Sequence, residues 1–379
     1  MTGNEHPEGE PQDRSYQFEE LRFGLGSTDP GALHWLEEFL TPAFPRIAPR
    51  DVDLRFRLRT DDDEYLACAD GFSSQHETLD CFQMDGGFER LAVDRRAPGV
   101  RLLFDARQRA VYRLDEASAR VDCLTPRDSP HRRKAFLRIV REFAMARSWS
   151  RRRILVHASA CAVAGRAMLI AGPKQAGKTT LLLHCLRVPG AEILTNDRAV
   201  LDLEDDALRA SGIPTYASIR PGTLQLIPAL EAVLRERNYD SRLALDEAPH
   251  GETRPFQPDQ NIYLTPAQIA GATARPLREA AELGAILFPR KTAGHGIELL
   301  PMTGRLAAER LCESLFGGPS RGRVSPAVLP DGESLSEPAI AAICEEVVDR
   351  APCFECKVGA GSFASPETAS ALLERALGR

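Results

Sequence analysis

The sequence predicts an α/β protein whose core contains a phosphate-binding loop and follows an N-terminal α+β accessory domain. Three observations lead to this class. Residues 171–180 read AGPKQAGKTT and fit the pattern G-x-x-x-x-G-K-[ST]. An apolar, strand-like run enters this stretch and a helical run leaves it, which is the order that a phosphate-binding loop needs. Short runs of alternating apolar and polar residues, broken by Gly, Pro and Asp, fill much of the chain before residue 130.

The chain has 379 residues, enough for about two domains. Its residues are 43% hydrophobic and 27% charged, a globular composition, and the formal net charge is -6. The negative balance argues against nucleic acid as a partner. No apolar run reaches the roughly 20 residues that span a bilayer, and the polar, acidic start is unlike a signal peptide. We therefore expect a cytoplasmic protein with no membrane partner.

The nine cysteines are scattered through apolar stretches, as is usual in a reducing compartment. The close pair, Cys353 and Cys356, has the C-x-x-C spacing of some zinc sites, but no second pair accompanies it. In CFECKV, strand alternation places Cys353, Glu355 and Lys357 on one face and Phe354 and Cys356 on the other. We expect this pair to line a sheet, and we expect no structural metal.

The predicted domain order begins with a flexible tail over residues 1–15, rich in Glu, Pro, Gly and Asp. An accessory α+β domain follows at 16–130, and its sequence does not indicate a function. A basic helix at 131–152 connects it to the phosphate-binding domain at 153–379.

The connecting helix is recognised by Phe136, Ile139, Val140 and Phe143, which lie at helical spacing. Arg and Lys fill its other positions. We expect these basic residues to form a solvated face rather than a docking face for an acidic partner.

The phosphate-binding domain opens with a predicted hairpin, whose strands ILVHASACAV and RAMLIAG are joined at Ala164 and Gly165. A helix, KTTLLLHCLRV, ends before Pro189 and Gly190, and AEILTND forms the next strand. The second strand therefore feeds the glycine-rich loop directly, and the helix leaves it.

Farther along, YASIRPGTLQLIPALEAVLRERN predicts a strand that enters a helix, with Pro221 at an early helical position. A polar loop follows at 238–260, long enough to be a lid or a substrate-binding segment. The remaining predicted elements are the strands ELGAILFPRK and PCFECKV and the helices GRLAAERLCESLF, EPAIAAICEEVVDR and SPETASALLERAL.

The loop residues have the chemistry of a phosphate site. Gly172 and Gly177 let successive backbone N–H groups turn towards an anion, and the next helix adds the positive end of its dipole. Lys178 can reach the β- and γ-phosphates, and the Thr179 hydroxyl can bind Mg²⁺. Lys174 adds a second cation. The predicted ATP-binding residues are Gly172, Pro173, Lys174, Gln175, Ala176, Gly177, Lys178, Thr179 and Thr180.

An unusual feature is the first candidate metal-binding acid after the loop, Asp197, which follows Asn196 at the end of the very next strand. With this spacing, the region resembles the catalytic core of the HPr kinase/phosphorylase family and its bacterial homologues, including kinases of peptide-modification clusters. The resemblance covers about 154–358. It rests, in order, on VHASACAVAGRAMLIAG with His157, on GPKQAGKTT, on LTNDRAVL and on SIRPGT. It implies an HPr-kinase-like, phosphoenolpyruvate-carboxykinase-like core.

The resemblance also implies roles for the matching residues. Lys178 and Thr179 would bind phosphates and Mg²⁺, and Asp197 would hold the metal. His157 would lie beside the phosphates, and Arg220 would stabilise charge on the transferring group. Without the loop nearby, His157 would be read as a histidine at a strand end and Arg220 as a member of a surface ion pair.

Two departures from the family pattern weaken the analogy. The family commonly has Asp at the position of Asn196, where the acid acts as general base, and Glu at the position of Ser218. An amide cannot accept a proton as a carboxylate can. Phosphoryl transfer depends mainly on positioning and charge neutralisation, so Asp197 or a neighbouring acid such as Asp202 could serve instead.

Three functions therefore stand at this point. The first is an ATP- and Mg²⁺-dependent kinase that phosphorylates a hydroxyl, with a serine of a small protein or peptide as acceptor. The second is a nucleotide-binding regulatory or assembly subunit that has lost transfer activity. The third is a small-molecule kinase on the same fold. We expect a homo-oligomer, as relatives in this family often are.

Overall fold

The computed structural model describes residues 12–41, 43–49, 52–72, 77–82, 88–149, 152–203, 207–239, 244, 256–294, 296–315 and 335–378. These residues divide into two compact units. The first comprises 12–37 and the described residues of 44–143. The second comprises 38–43 and the described residues from 144 onwards.

The first unit is built on one mixed sheet of eight strands, in the order β1-β2-β3-β8-β7-β6-β5-β4. The β2–β3 and β3–β8 pairs are parallel, and the other pairs are antiparallel. Its elements are β1 (Gln12–Phe18), β2 (Leu21–Ser27), α1 (Pro30–Leu40), β3 (Leu54–Thr60), α2 (Asp62–Ala69), β4 (Glu77–Phe82), β5 (Phe88–Ala97), β6 (Val100–Asp105), β7 (Ala110–Asp115), β8 (Arg120–Thr125) and α3 (Arg132–Trp149). The last residues of α1 and of α3 fall in the second unit. Strand β1 begins within the segment predicted to be a flexible tail.

The helix α3 lies where the sequence predicts it, but the prediction of a solvated basic face is wrong. Phe136 and Ile139 are buried, as expected, and so are Arg138 and Arg141. The guanidinium of Arg138 forms an ion pair of 2.6 Å with Asp105, a fully buried carboxylate at the end of β6. A buried carboxylate needs a charged partner, so it keeps this arginine out of solvent.

The second unit contains the glycine-rich loop, a second mixed sheet, a separate pair of strands and the other described helices. Its elements are β9 (Arg153–Val163), β10 (Arg166–Ala171), α4 (Lys178–Cys185), β11 (Ala191–Thr195), β12 (Arg198–Asp202), β13 (Arg209–Gly212), β14 (Ala217–Ile219), α5 (Pro221–Leu226), α6 (Pro228–Glu236), β15 (Ile262–Leu264), α7 (Pro266–Thr273), β16 (Ala280–Thr292), β17 (Ile297–Met302), α8 (Gly304–Glu313), α9 (Glu337–Arg350), β18 (Cys353–Gly359), a 3₁₀ turn (Ala360–Phe363) and α10 (Pro366–Leu377).

The strand order of this sheet is β10-β9-β12-β13-β16-β18-β17, and β11 also pairs with β9. Strand β16 pairs in parallel with β10 as well, so the pairing runs from β10 through β9, β12, β13 and β16 back to β10. The parallel strands β10, β16 and β18 therefore end at one edge of the sheet. Ligands of α/β proteins commonly bind outside such an edge.

The predicted hairpin is confirmed, since β9 and β10 pair antiparallel across the turn at Ala164 and Gly165. Both turn residues have positive φ, 48° and 81°, as a two-residue hairpin turn of this kind requires. Side chains of β10 are buried on both faces of the sheet, which explains its continuous apolar run.

Two hydrophobic clusters cover the two faces of the sheet. One contains residues of α4 and α10, and the other contains residues of α8 and α9. Cys356 belongs to the first cluster and Cys353 to the second, so the alternation predicted for CFECKV is confirmed. Burial raises the pKa of both thiols to about 12, which keeps them protonated and unreactive.

One predicted helix is divided. The segment after β14 forms α5 and α6, and the break falls at Pro228, because proline cannot continue the hydrogen-bond ladder of a helix. Most of the predicted polar loop at 238–260 lies outside the described residues. None of the described helices is both long enough and apolar enough to cross a membrane. The coarse prediction of an α/β protein is confirmed.

Candidate functional site

The glycine-rich loop joins the end of β10 to the start of α4. Gly177 is the N-cap of α4 and has φ of 100°, a left-handed conformation that favours glycine. A Cβ at Gly177 would have room, since the nearest atom, Cε of Lys291, would lie 3.9 Å away. The backbone conformation, rather than space, therefore requires glycine here. Gln175 also has positive φ, 72°, which is uncommon for a residue with a side chain.

Lys178, the first residue of α4, folds back over the loop. Its Nζ donates hydrogen bonds to the carbonyl oxygens of Gly172 at 2.8 Å and Pro173 at 3.0 Å. The residue is only 7% exposed. Burial lowers its pKa to about 8, although the negative charge of Asp197 acts in the opposite direction. The ammonium group thus lies at the mouth of the loop, close enough to Asp197 for the two charges to interact.

The loop's remaining side chains point outward or pair locally. Pro173, Lys174 and Gln175 are exposed, and Ala176 and Thr179 are half-buried. The hydroxyl of Thr180 lies 2.8 Å from the hydroxyl of Thr223 in α5, which fixes the first turn of α4 to that helix. The loop therefore presents its backbone and two lysines to whatever binds there.

The pair Asn196–Asp197 lies between β11 and β12, which follow one another along β9. The register of β11 shifts at Leu194, a bulge of the kind that redirects side chains near functional sites. Two hydrogen bonds from β9 then hold the pair. The backbone N–H of Ala158 donates to the carbonyl of Asp197, and the Ser159 hydroxyl donates to the carbonyl of Asn196.

The carboxylate of Asp197 has two cationic or potentially cationic neighbours. Its Oδ1 lies 3.0 Å from Nε2 of His157, and its Oδ2 lies 3.4 Å from Nε of Arg198. Burial alone would raise the pKa of Asp197, but the hydrogen bond and charge of His157, with the charges of Arg198 and Lys178, hold it well below its usual range. The low pKa keeps the carboxylate ionised, and its side chain remains 32% exposed, so a ligand can reach it.

His157 reaches this position because of strand register. Ala171, the last residue of β10, is paired with Ala158 of β9. His157 therefore lies beside the point at which β10 becomes the loop. The structure thus brings together four residues that the sequence predicts for the site, namely Gly172, Lys178, His157 and Asp197.

Asn196, a predicted catalytic position, has a different contact. Its side chain is 7% exposed, and its Nδ2 donates a hydrogen bond of 3.1 Å to the carbonyl oxygen of Tyr216. The amide therefore ties the strand β14 to the Asn196–Asp197 turn. Asp202, the alternative acid, lies at the far end of β12, where it forms an ion pair with Arg153. Asp197 is thus the acid that lies nearer the loop.

Arg220 is the N-cap residue of α5, and its side chain is exposed. It forms no ion pair within the described part of the chain. Ser218 is exposed on β14. Both lie on the segment between Tyr216, which is hydrogen-bonded to Asn196, and Thr223, which contacts Thr180.

Two further residues of the site, Lys291 and Arg198, are not among those that the sequence predicts. Lys291 is exposed near the end of β16, and its Cε lies close to Gly177. The parallel pairing of β10 and β16 brings Lys291 to the loop, and no local sequence pattern predicts this pairing. Arg198 directly follows Asp197, so the sequence TNDR already places a cation next to the acid. It is 2% exposed and compensates the charge of Asp197 from within the core.

The residues at the loop fit a nucleoside triphosphate with Mg²⁺. Backbone N–H groups, the helix N-terminus and Lys178 suit phosphate oxygens. The Thr179 hydroxyl and the Asp197 carboxylate are the hard oxygen donors that Mg²⁺ prefers, with phosphate oxygens and waters completing its shell. Among the described residues, no three His, Cys, Asp or Glu side chains cluster as a metal site of their own. Sequence comparisons match the chain to no protein-family model and to no curated protein.

Proposed function

We propose that this protein is an ATP- and Mg²⁺-dependent kinase of the HPr-kinase type, which transfers a phosphoryl group to the serine hydroxyl of a small protein or peptide. One observation carries the proposal: a buried lysine and an ionised aspartate share the mouth of one glycine-rich loop. In this proposal the second unit is a P-loop core of the HPr-kinase-like and phosphoenolpyruvate-carboxykinase-like type. Cytoplasmic location and self-association belong to the same proposal.

The loop residues act by positioning and neutralising charge. Bound ATP with Mg²⁺ supplies the phosphoryl group and part of the neutralising charge. Lys178, now held by two loop carbonyls, turns its N–H donors towards phosphate oxygens. Thr179 and Asp197 would hold the Mg²⁺ ion, and Arg220 lies on the segment that leads to Thr223. Phosphoryl transfer needs little more from the protein, because its loose transition state depends on alignment and electrostatics.

The acceptor's proton has a receiver in His157. Asp197 is a poor proton acceptor, because its pKa lies well below the usual range. Its carboxylate instead orients His157 through the 3.0 Å contact with Nε2. An imidazole backed by a carboxylate is a common general-base arrangement. In this chain the pair does the work that a second aspartate does in the family that the sequence resembles.

A second candidate is a nucleotide-binding regulatory or assembly subunit. The observation that favours it is the use of Asn196 as a tertiary tether rather than as a reacting group. Ser218 likewise offers no carboxylate. A small-molecule kinase would use the same site with a different acceptor.

The test incubates purified protein with γ-labelled ATP and Mg²⁺, with and without a soluble cell extract. Wild type is compared with Lys178→Ala and Asp197→Ala. Lys357→Ala is the matched control, because Lys357 is a lysine of the same sheet that pairs with Glu298. Transferred label is resolved by electrophoresis and mass spectrometry, and nucleotide binding is measured separately by calorimetry.

If the protein is this kinase, wild type and Lys357→Ala transfer label to a polypeptide, and the two site variants transfer none. Label on a small molecule alone would identify the third function. Tight ATP binding without transfer would favour the regulatory subunit. Absence of nucleotide binding by the wild type would overturn the P-loop assignment itself.

A further inference from the structure

The strands β14 and β15 form a short antiparallel ribbon beside the site. The ribbon is tied to the site at two points. Before β14, the carbonyl of Tyr216 accepts the hydrogen bond from Asn196. After β14, Thr223 in α5 contacts Thr180, two residues beyond Lys178. The segment between these ties therefore runs from the acid to the phosphate loop.

Alternation sorts the side chains of the ribbon. Ala217 and Ile219 are buried in the core, and so are Ile262 and Leu264 of the partner strand. The opposite set is open to solvent: Ser218 is exposed, and it is paired in register with half-buried Tyr263. The members of this outward set, which we call the ribbon face, are Tyr216, Ser218, Arg220 and Tyr263.

The ribbon face has an aromatic and cationic character. The rings of Tyr216 and Tyr263 meet edge to face, with centroids 5.5 Å apart. Arg220 adds an exposed guanidinium that no described carboxylate pairs. Neither strand of the ribbon carries an acidic residue.

The neighbouring loop increases the positive charge. Lys174 and Lys291 are exposed there, and Lys178 lies at its mouth. Among the described residues, Asp197 is the acid whose charge acts on Lys178, and Arg198 and His157 already compensate that charge. Asn196 and Ser218 are both uncharged. An approaching anion therefore meets attraction from the described residues on this side.

We infer that the ribbon face binds the phosphoryl acceptor, and that the acceptor is a peptide segment with carboxylates next to its hydroxyl. This inference rests on the proposed kinase function. Arg220 pairs with an acceptor carboxylate, and the two tyrosines support the peptide backbone beside it. The acceptor hydroxyl is thereby placed towards His157 and the loop.

This role of Arg220 differs measurably from a role in stabilising the transferring phosphoryl group. An arginine that stabilises that group lowers kcat for every acceptor when it is removed. An arginine that binds the acceptor raises KM, and it does so selectively for acidic acceptors. Arg220→Glu also separates the two roles, because only an arginine that binds the acceptor would then reverse the preference between acidic and basic acceptors.

The experiment uses the full-length protein loaded with a non-hydrolysable ATP analogue and Mg²⁺. Three fluorescent peptides of equal length carry one central serine flanked by Glu, by Ala or by Lys, and their binding is followed by anisotropy at low salt. The variants are Arg220→Ala and Arg220→Glu. Arg209→Glu is the matched control, because Arg209 is exposed on β13. Binding of the nucleotide analogue is measured for each protein as a separate readout.

Wild type and Arg209→Glu should bind the Glu-flanked peptide about tenfold more tightly than the Lys-flanked peptide. Arg220→Ala should lose most of this preference, and Arg220→Glu should reverse it, with nucleotide binding unchanged. Equal binding of the three peptides, no peptide binding by nucleotide-loaded protein, or the same effect from Arg209→Glu would each overturn the inference. If the wild-type protein does not bind the nucleotide analogue, that result would instead contradict the proposed function.

Discussion

The side-chain amide of Asn196 donates a hydrogen bond to the carbonyl oxygen of Tyr216 at 3.1 Å. A carbonyl oxygen only accepts hydrogen bonds, so a carboxylate in this place would set one acceptor against another. The amide is therefore matched to the backbone it contacts. The difference from the Asp-Asp pair of the resembling family has a structural consequence here, since it fixes β14 against the site.

We predict that Asn196→Asp lowers the free energy of unfolding by about 2 kcal/mol or more, because it buries a charge that lacks its hydrogen-bond donor. Urea denaturation at neutral pH measures the change. The matched control is Ser218→Asp, which places the same charge on the exposed side of the tethered strand. That variant should stay within about 0.5 kcal/mol of wild type. Equal stability of Asn196→Asp and wild type would contradict the tether.

A second prediction concerns His184 in α4, whose side chain is fully buried against Phe363. Burial, with a smaller contribution from the charge of Arg187, lowers its pKa to about 4. The unfolded chain, with an ordinary histidine pKa near 6.5, binds a proton first as the pH falls. Stability is therefore complete above about pH 6.5 and declines as the pH falls towards 4, by on the order of 3 kcal/mol.

Urea denaturation at several pH values between 4 and 7 tests this dependence. His184→Gln removes the titrating group and should flatten the decline, whatever its effect on overall stability. His34→Gln is the matched control, since it makes the same substitution at an exposed position of α1. The same slope in His184→Gln and wild type would show that other groups cause the acid sensitivity.

The parts of the fold that the sequence predicts well are those with local signals. The hairpin of β9 and β10 is marked by two apolar runs and the Ala164-Gly165 turn. The loop is marked by glycines whose backbone conformation other residues adopt with difficulty, as the φ of Gly177 shows. Strand alternation is also local, and it correctly predicts that Cys353 and Cys356 lie on opposite faces of the sheet.

The misses have a common physical cause, which is that tertiary contacts decide them. Arg138 looks like a surface residue until Asp105 meets it in the core. Lys291 joins the loop only because β16 pairs in parallel with β10. Likewise, nothing in the sequence around Asn196 indicates that its amide binds the carbonyl of Tyr216. Local pattern finds the elements of the site, and strand pairing completes it.

Lys291 supplies a third prediction. Its exposed ammonium group lies beside Gly177, so it should attract the phosphates of a nucleotide through solvent. Lys291→Ala is expected to weaken ATP binding roughly fivefold at low ionic strength, and the effect should shrink in about 0.5 M salt because exposed charges are screened. Calorimetric titration measures both affinities, with Lys357→Ala as control. An unchanged affinity at low salt would place Lys291 outside the phosphate site.

The last prediction concerns the proton balance of nucleotide binding. Burial lowers the pKa of Lys178 to about 8, so about half of these side chains are neutral at pH 8 before a nucleotide binds. Phosphate oxygens next to the ammonium group favour its charged form and raise its pKa. Binding at pH 8 should therefore take up about half a proton, and binding at pH 6.5 should take up almost none from this residue.

Calorimetry in two buffers with different ionisation enthalpies gives the proton uptake directly. Lys178→Arg keeps the charge but cannot lose its proton in this range, so its uptake at pH 8 should fall close to zero even if its affinity is lower. Lys357→Ala should retain the uptake of wild type. Because nucleotide affinity depends on the charged form of Lys178, affinity should also decline as the pH rises above 8. Equal proton uptake by wild type and Lys178→Arg would show that another group titrates, and that the buried lysine is not the residue that meets the phosphates.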